Sequence, residues 1–268
     1  MIMAMDIGNT HIKIGLFSQG RWVEEWRLGT DVRRTADEYR LMVQALLLES
    51  HVDGVDRAIV ASVVPLLTPC LLQVLESISL ARPIEIVPPG YGLEVDYPPA
   101  NLGADRFVNA LAAWVLSRRP VVVVSVGTTA TVDAVVDGVY LGGAIAPGPH
   151  FLTQALAKGT ARLPPVLPSI EPWIIGKNTE QAIRTGVGQG FVCMVRGLIE
   201  HTRDTIGNDA AVILTGGWSR RIHPYIGIPA RLEPRLTLEG LRFADEWLHA
   251  AHNAHPPKKV RRQPPCLS

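Results

Sequence analysis

The sequence predicts an α/β chain built from two related domains, and three observations carry that prediction. Strand-like and helix-like stretches alternate along the first hundred residues, the pattern of layered sheets and helices. A short pattern, Asp6-Ile7-Gly8-Asn9-Thr10 followed by a strand, returns as Ser125-Val126-Gly127-Thr128-Thr129 followed by a strand. An apolar share of 47% and a charged share of 19% over 268 residues allow a substantial core and exclude a generally disordered chain.

The elements follow in order. Residues 2–6 are a short apolar strand, and Ile12, Ile14 and Leu16 then alternate with His11, Lys13 and Gly15 in a second, so the two form a hairpin closed on polar residues. Thr35 and Glu38 have capping-box spacing, and Leu41, Met42, Ala45, Leu46 and Leu48 supply an apolar helix face behind them. Residues 57–64 read as strand, 66–78 as helix and 83–87 as strand. Pro88-Pro89-Gly90 and Tyr97-Pro98-Pro99 bracket an irregular segment, after which Asp105 opens a helix carrying Phe107, Val108, Ala110, Leu111 and Trp114.

The second half starts with the longest apolar run, 120–126, which is far below the roughly 20 residues of a membrane span and reads as a buried strand. Strand 132–136, the tight turn Asp137-Gly138 and strand 139–141 complete a second hairpin. Gly142-Gly143 and Pro147-Gly148 punctuate the chain before a helix over 179–201. In that helix Ile183, Val187, Phe191, Met194 and Leu198 recur at helical spacing, as an interface stripe or as core. Strand 211–214 ends in Thr215-Gly216-Gly217, and a last helix covers 238–250. The predicted division is 1–117, 118–251 and a basic, Pro-rich tail, 252–268, read as disordered.

The formal charge is +1, and Lys258, Lys259, Arg261 and Arg262 all lie in that acid-free tail, so the body is mildly acidic. This argues against a nucleic-acid binder; four tail charges are the signature of a solubilising segment. Cys70, Cys193 and Cys266 fit no zinc or paired-cysteine spacing, and the eight histidines show no ligand pattern. With no basic leader ahead of an apolar stretch, a cytoplasmic location and no membrane partner are expected.

Three loops carry chemistry. In the first, Gly8 permits close backbone approach, the Asn9 and Thr10 side chains and the amides can donate to phosphate oxygens, and Asp6 can hold Mg²⁺ through water. A single copy reads more readily as an ordinary hairpin turn; the second copy reverses the balance toward phosphate binding. That copy has Ser125 in place of the acid, a dipole instead of a full charge. Asp133, in the following strand, either lies near the site or faces solvent. In Gly103-Ala104-Asp105-Arg106, Asp105 can take a proton from an attacking hydroxyl and Arg106 can grip a carboxylate or phosphate. The alternative is a helix cap beside a surface arginine. Thr215-Gly216-Gly217 is either a nucleotide-proximal turn or a generic one.

Taken jointly and in order, DIGNT, NLGADR, GTTATVD, GGAIAPG, KNT, TGG and LEGL, from Asp6 to about Leu241, resemble the type III pantothenate kinases of the actin-like, hexokinase and Hsp70 ATPase superfamily. The resemblance implies two ribonuclease-H-like domains with ATP between them. The implied reaction is transfer of the γ-phosphoryl group to pantothenate, giving 4′-phosphopantothenate in the first step of coenzyme A synthesis, by a homodimer. Carried over by motif, Asp6, Gly8, Asn9, Thr10 and Lys13 form the first phosphate loop, Thr128, Gly216 and Gly217 meet ATP, and Asp6 holds Mg²⁺ or a similar divalent cation. Tyr97, Gly103, Ala104 and Arg106 hold pantothenate with Asp105 as general base, and Thr179 reaches in from the other subunit. Ser125 stands where the family has an aspartate that helps bind K⁺ or NH₄⁺, and Thr129-Ala130 stands where Ala-Thr is usual. An alternative is a weakly active or inactive relative acting as an accessory or regulatory protein.

Overall fold

The structure is a computed structural model that describes residues 1–254. Strand β1 (Ile2–Ile7) is buried along its whole length, as an apolar central strand should be. It pairs antiparallel with β2 (His11–Ser18), which places Asp6 directly opposite Lys13. An edge strand, β3 (Arg21–Gly29), follows; sequence reading passes over it because its face is largely exposed and rich in charge. Helix α1 (Ala36–Glu49) carries the expected capping box, with Thr35 Oγ1 accepting from the Glu38 amide and Glu38 accepting from the Thr35 amide. Its buried stripe is Tyr39, Val43 and Leu47, whereas Leu41 and Leu48 face solvent. The predicted face was therefore rotated, because the Tyr39 ring fills the core and its hydroxyl accepts a bond from the Asp31 amide.

Strand β4 (Arg57–Ser62) lies parallel to β1. Helix α2 (Thr68–Glu76) starts two residues later than expected, leaving Leu66 exposed. Only β5 (Ile84–Glu85) survives of the strand predicted over 83–87. The five strands run in the order β3-β2-β1-β4-β5. After the short β6 (Glu94–Val95), α3 (Ala104–Ser117) begins at Gly103, which supplies no side-chain cap.

The repeat read from the sequence is present in three dimensions. β7 (Val121–Val126), β8 (Thr129–Val136) and β9 (Val139–Pro147) form an antiparallel meander, as β1 to β3 do. Asp137 and Gly138 both take positive φ, the two-residue turn that an Asp-Gly pair predicts. β9 continues through Gly142-Gly143, which the sequence suggested as punctuation, with a shift in its register to β8 beside Gly142. Beyond it lies α4 (Pro149–Gly159), which no sequence signal predicted. Helix α5 (Thr179–Ile206) is longer than expected, and its apolar stripe is spent within the chain: Ile183 and Val187 pack with Val166, and Phe191 joins the core over β7. β10 (Ala211–Thr215), a short α6 (Ser219–Ile222) and β11 (Arg231–Leu232) complete the second sheet, ordered β11-β10-β7-β8-β9-β6. In both sheets the first strand of a meander is flanked by an added pair of parallel strands.

Helix α7 (Leu236–Ala254) runs back to the first sheet and continues into the predicted tail; 255–268 lies outside the described residues. The predicted boundary at 117/118 falls between α3 and β7, and two elements cross it, since β6 joins the second sheet and α7 packs against α3, β1 and β4. One core includes Ala4 and Ile59 of the first sheet, Val123 and Ile213 of the second, and Phe107 and Leu241 of the two helices. Arg57 grips the buried Asp245 through two bonds of 3.0 and 2.8 Å, fastening α7 to β4. Among the described residues no helix is long and apolar enough to cross a membrane.

Candidate active site

Both glycine turns open into one cleft of about 670 Å³. The hairpin register explains the first: β1 ends at Ile7, the Gly8 amide bonds to the His11 carbonyl, and Asp6 and Lys13 face each other across the strands with Nζ 3.0 Å from Oδ2. In the second turn Ser125 lies opposite Thr131, so a pair of hydroxyls occupies the place that an ion pair takes in the first copy. The two turns meet at their tips, where the Thr10 and Thr128 hydroxyls are 2.8 Å apart. Gly216 and Gly217 line the same cleft. Gly216 has φ of +90°, and a Cβ there would lie 2.4 Å from the Val126 carbonyl oxygen, so the turn after β10 requires glycine.

Asp105 reaches this cleft from the first turn of α3. Its carboxyl is pushed up to about 6, chiefly by burial and further by the negative charge of Asp6, against a stabilising bond from the Arg106 amide. A carboxylate near neutrality beside a phosphate-type cleft is suited to general-base work. Arg106 is not the surface residue of the alternative reading, for only 6% of it is exposed. Asp133 is likewise buried, 2% exposed, and its Oδ1 accepts from Arg106 Nε at 3.1 Å and Nη2 at 2.5 Å. The edge placement in solvent considered for Asp133 is therefore wrong. The Tyr140 hydroxyl donates to the same oxygen at 2.8 Å, and burial together with the negative charge of Asp133 pushes its pKa up, so it stays protonated. Tyr97 packs edge-on against Tyr140, with Arg106 5.8 Å from its ring centre.

The cleft is thus formed by two copies of one hairpin, with an acid at a helix start on its wall. A family model for type III pantothenate kinase matches residues 2–201. The chain belongs to that family.

Curated type III pantothenate kinases from Moorella thermoacetica and Thermomicrobium roseum are each 38% identical to it. The first match covers 92% of this chain and 99% of the relative, the second 95% and 100%. Among solved structures, a Campylobacter jejuni protein of the Baf transcriptional-activator family superposes with a TM-score of 0.60 at 19% identity, covering 94% of this chain and 99% of that one. MreB 5 of Spiroplasma citri, bound to AMPPNP, gives 0.55 at 9% identity over 94% and 98%. These two likenesses concern the fold, which is that of the actin-like ATPases and sugar kinases.

In this type III pantothenate kinase the residues singled out from sequence fall into two groups, with Thr179 outside both. Asp6, Gly8, Asn9, Thr10, Lys13, Asp105, Ser125, Thr128, Gly216 and Gly217 all line the cleft. Tyr97 and Arg106 form a cluster with Tyr140 and Asp133, and Gly103 and Ala104 are the backbone at the start of α3. Thr179, at the exposed start of α5, is not part of the cleft lining of its own chain. Sequence reading missed Arg27, which sits opposite Lys13 on the unrecognised β3. It also missed Trp218, with Arg221 stacked 4.6 Å over its ring and His150 edge-on at 5.7 Å. Trp218 directly follows Gly217, so the glycine turn was the signal available; Arg27 offered none.

Proposed function

We propose that the protein transfers the γ-phosphoryl group of ATP to the terminal hydroxyl of pantothenate, giving 4′-phosphopantothenate at the entry to coenzyme A synthesis. The observation that carries this is the half-buried Asp105 carboxyl set in the wall of a cleft floored by both glycine turns. Asp105 accepts the proton of the hydroxyl as its oxygen attacks the γ-phosphorus, and the bond to the bridging oxygen of ADP breaks. The amides and hydroxyls of 8–10 and 127–129, with Lys13, hold the phosphates in line, which is the greater part of catalysis for this reaction. Arg106 receives the pantothenate carboxylate beside Tyr97, and Thr179 completes that pocket from a second subunit.

No group of three or more metal-ligating side chains exists among the described residues. The Asp6 carboxylate in the cleft lining fits Mg²⁺, which keeps water and phosphate oxygens and takes one or two protein carboxylates. Bound there, the cation would neutralise charge on the phosphates. A monovalent cation at Ser125 finds a hydroxyl opposite a hydroxyl, and the nearby acid, Asp133, is already committed to Arg106. Activity should therefore respond little to K⁺ or NH₄⁺ at constant ionic strength, and Ser125→Asp should raise the rate or the cation response. Titrating KCl against a large inert cation, with ATP, Mg²⁺ and pantothenate, tests the activity and this expectation together. A full potassium requirement in the unaltered protein would refute the Ser125 argument; absence of turnover in both proteins would favour the accessory-protein reading.

The protein acts in the cytoplasm as a homodimer. The α5 stripe is used up inside the chain, but Leu167, Trp173 and Ile175, between α4 and α5, are 77%, 69% and 75% exposed close to Thr179 in sequence. Unpartnered apolar side chains of this size suit an interface. Light scattering behind size exclusion should report a dimer at micromolar concentration. A monomer there would also end the assignment of Thr179 to a neighbour's pocket.

A further inference from the structure

Asp105 and Arg106 are adjacent and of opposite charge at the start of α3, Arg106 buried and Asp105 half-buried on the cleft wall. A buried guanidinium without a partner is strongly disfavoured, and the acid nearest to Arg106 along the chain is Asp105. Yet the Arg106 side chain makes its ion pair elsewhere, with Asp133 on β8. One carboxylate oxygen there receives three donors, Nε and Nη2 of Arg106 and the Tyr140 hydroxyl. The guanidinium is further confined between the rings of Tyr97 and Tyr140, whose centres lie 5.8 and 5.9 Å from it. The carboxylate has room because the residue opposite Asp133 in β9 is Gly143, where a Cβ would fall 2.8 Å from Oδ1 and 2.1 Å from the Val132 carbonyl oxygen.

We infer that Asp133 is a positioning residue that draws the Arg106 guanidinium off the neighbouring Asp105 and fixes it to receive the acceptor's carboxylate. This rests on the proposed roles of Asp105 and pantothenate. Two consequences follow from the geometry. Nε and one N–H of Nη2 are spent on Asp133, so Nη1 and the second Nη2 hydrogen form the edge offered to the substrate, and its direction is set by the second sheet. Because β8 also begins at the second phosphate turn, the same strand places a phosphate-binding end and an acceptor-orienting end eight residues or fewer apart. Without the Asp133 charge, the guanidinium would turn to Asp105, cover the base and lower its basicity.

The test is a double-variant cycle on the full-length protein, with pantothenate and ATP varied separately. Asp133→Asn should lower kcat/KM for pantothenate by about tenfold or more while KM for ATP stays within about twofold. In an Arg106→Ala background the same change should cost almost nothing further, because the guanidinium it positions is gone. Equal losses for both substrates, or full additivity with Arg106→Ala, would reduce Asp133 to a structural residue and overturn the proposal. Should Asp133→Asn melt before assay, Tyr140→Phe removes one donor and no charge. It is expected to lower kcat/KM for pantothenate by roughly threefold in the unaltered background and not in Arg106→Ala, and no change in either would overturn the proposal equally. An unaltered protein that does not phosphorylate pantothenate refutes the functional reading itself, and the positioning role with it. Normal turnover with unaffected variants refutes the positioning role alone.

Discussion

Replacing Asp105 with Asn is expected to lower turnover by roughly 10² or more and, at neutral pH, to make the fold more stable. The first effect follows from losing the proton acceptor in a side chain of almost the same shape. The second follows from linkage. Burial raises the Asp105 carboxyl from 3.8 to about 6, so the folded protein holds that proton more tightly than the unfolded chain. The resulting stabilisation is fully present below about pH 4 and is lost as pH rises through 6. At pH 7 the ionised carboxylate then costs about 3 kcal/mol as an upper figure. Asn carries no charge and can still accept the bond that the Arg106 amide gives Asp105, so the cost is relieved. Steady-state kinetics and urea unfolding on one preparation check both. Near-normal turnover would remove Asp105 from the mechanism, and a destabilised variant would show that its carboxylate is held by contacts the fold needs. In the unaltered enzyme kcat/KM should fall as pH drops through about 6, a limb that the Asn variant lacks.

Asp6→Asn should lower turnover by a comparable roughly 10² and also move the acid limb set by Asp105 to lower pH. Asp6 is buried at the end of β1, 5% exposed, where it balances Lys13 and supplies the carboxylate for Mg²⁺. The variant leaves the Lys13 ammonium beside the phosphates without its counter-charge and should require more Mg²⁺ for half-maximal rate. After burial, the negative charge of Asp6 is the largest influence raising the Asp105 carboxyl, so deleting it should let Asp105 ionise more readily. A pH profile for residual activity and a Mg²⁺ titration separate the effects. An unmoved acid limb would assign the Asp105 shift to burial alone, and an unchanged Mg²⁺ requirement would take the metal away from Asp6.

What the sequence by itself determined is what neighbours in the chain decide. The register of β1 with β2, the Asp137-Gly138 turn, the Thr35 and Glu38 cap and the repeated glycine turn are all closed by groups near one another in the chain, so their residue types state the geometry. The repeat implied two related domains, the family resemblance implied a cleft between them, and the Thr10 and Thr128 hydroxyls do meet. Tertiary structure alone decided which face of α1 is inside, because Tyr39 outcompeted Leu41 and Leu48 for the core. It decided that the α5 stripe is core, and that α7 returns to pack on the first sheet. It also decided the fate of Arg106, since periodicity reports that a side chain leaves one face of a helix and is silent on what waits there. Asp133 lies 27 residues further on, in another sheet, and meets Arg106 only when α3 is packed against β8. Desolvating both charges at that contact is what makes them a pair, and desolvation is a property of the assembled core, which no local stretch of sequence carries.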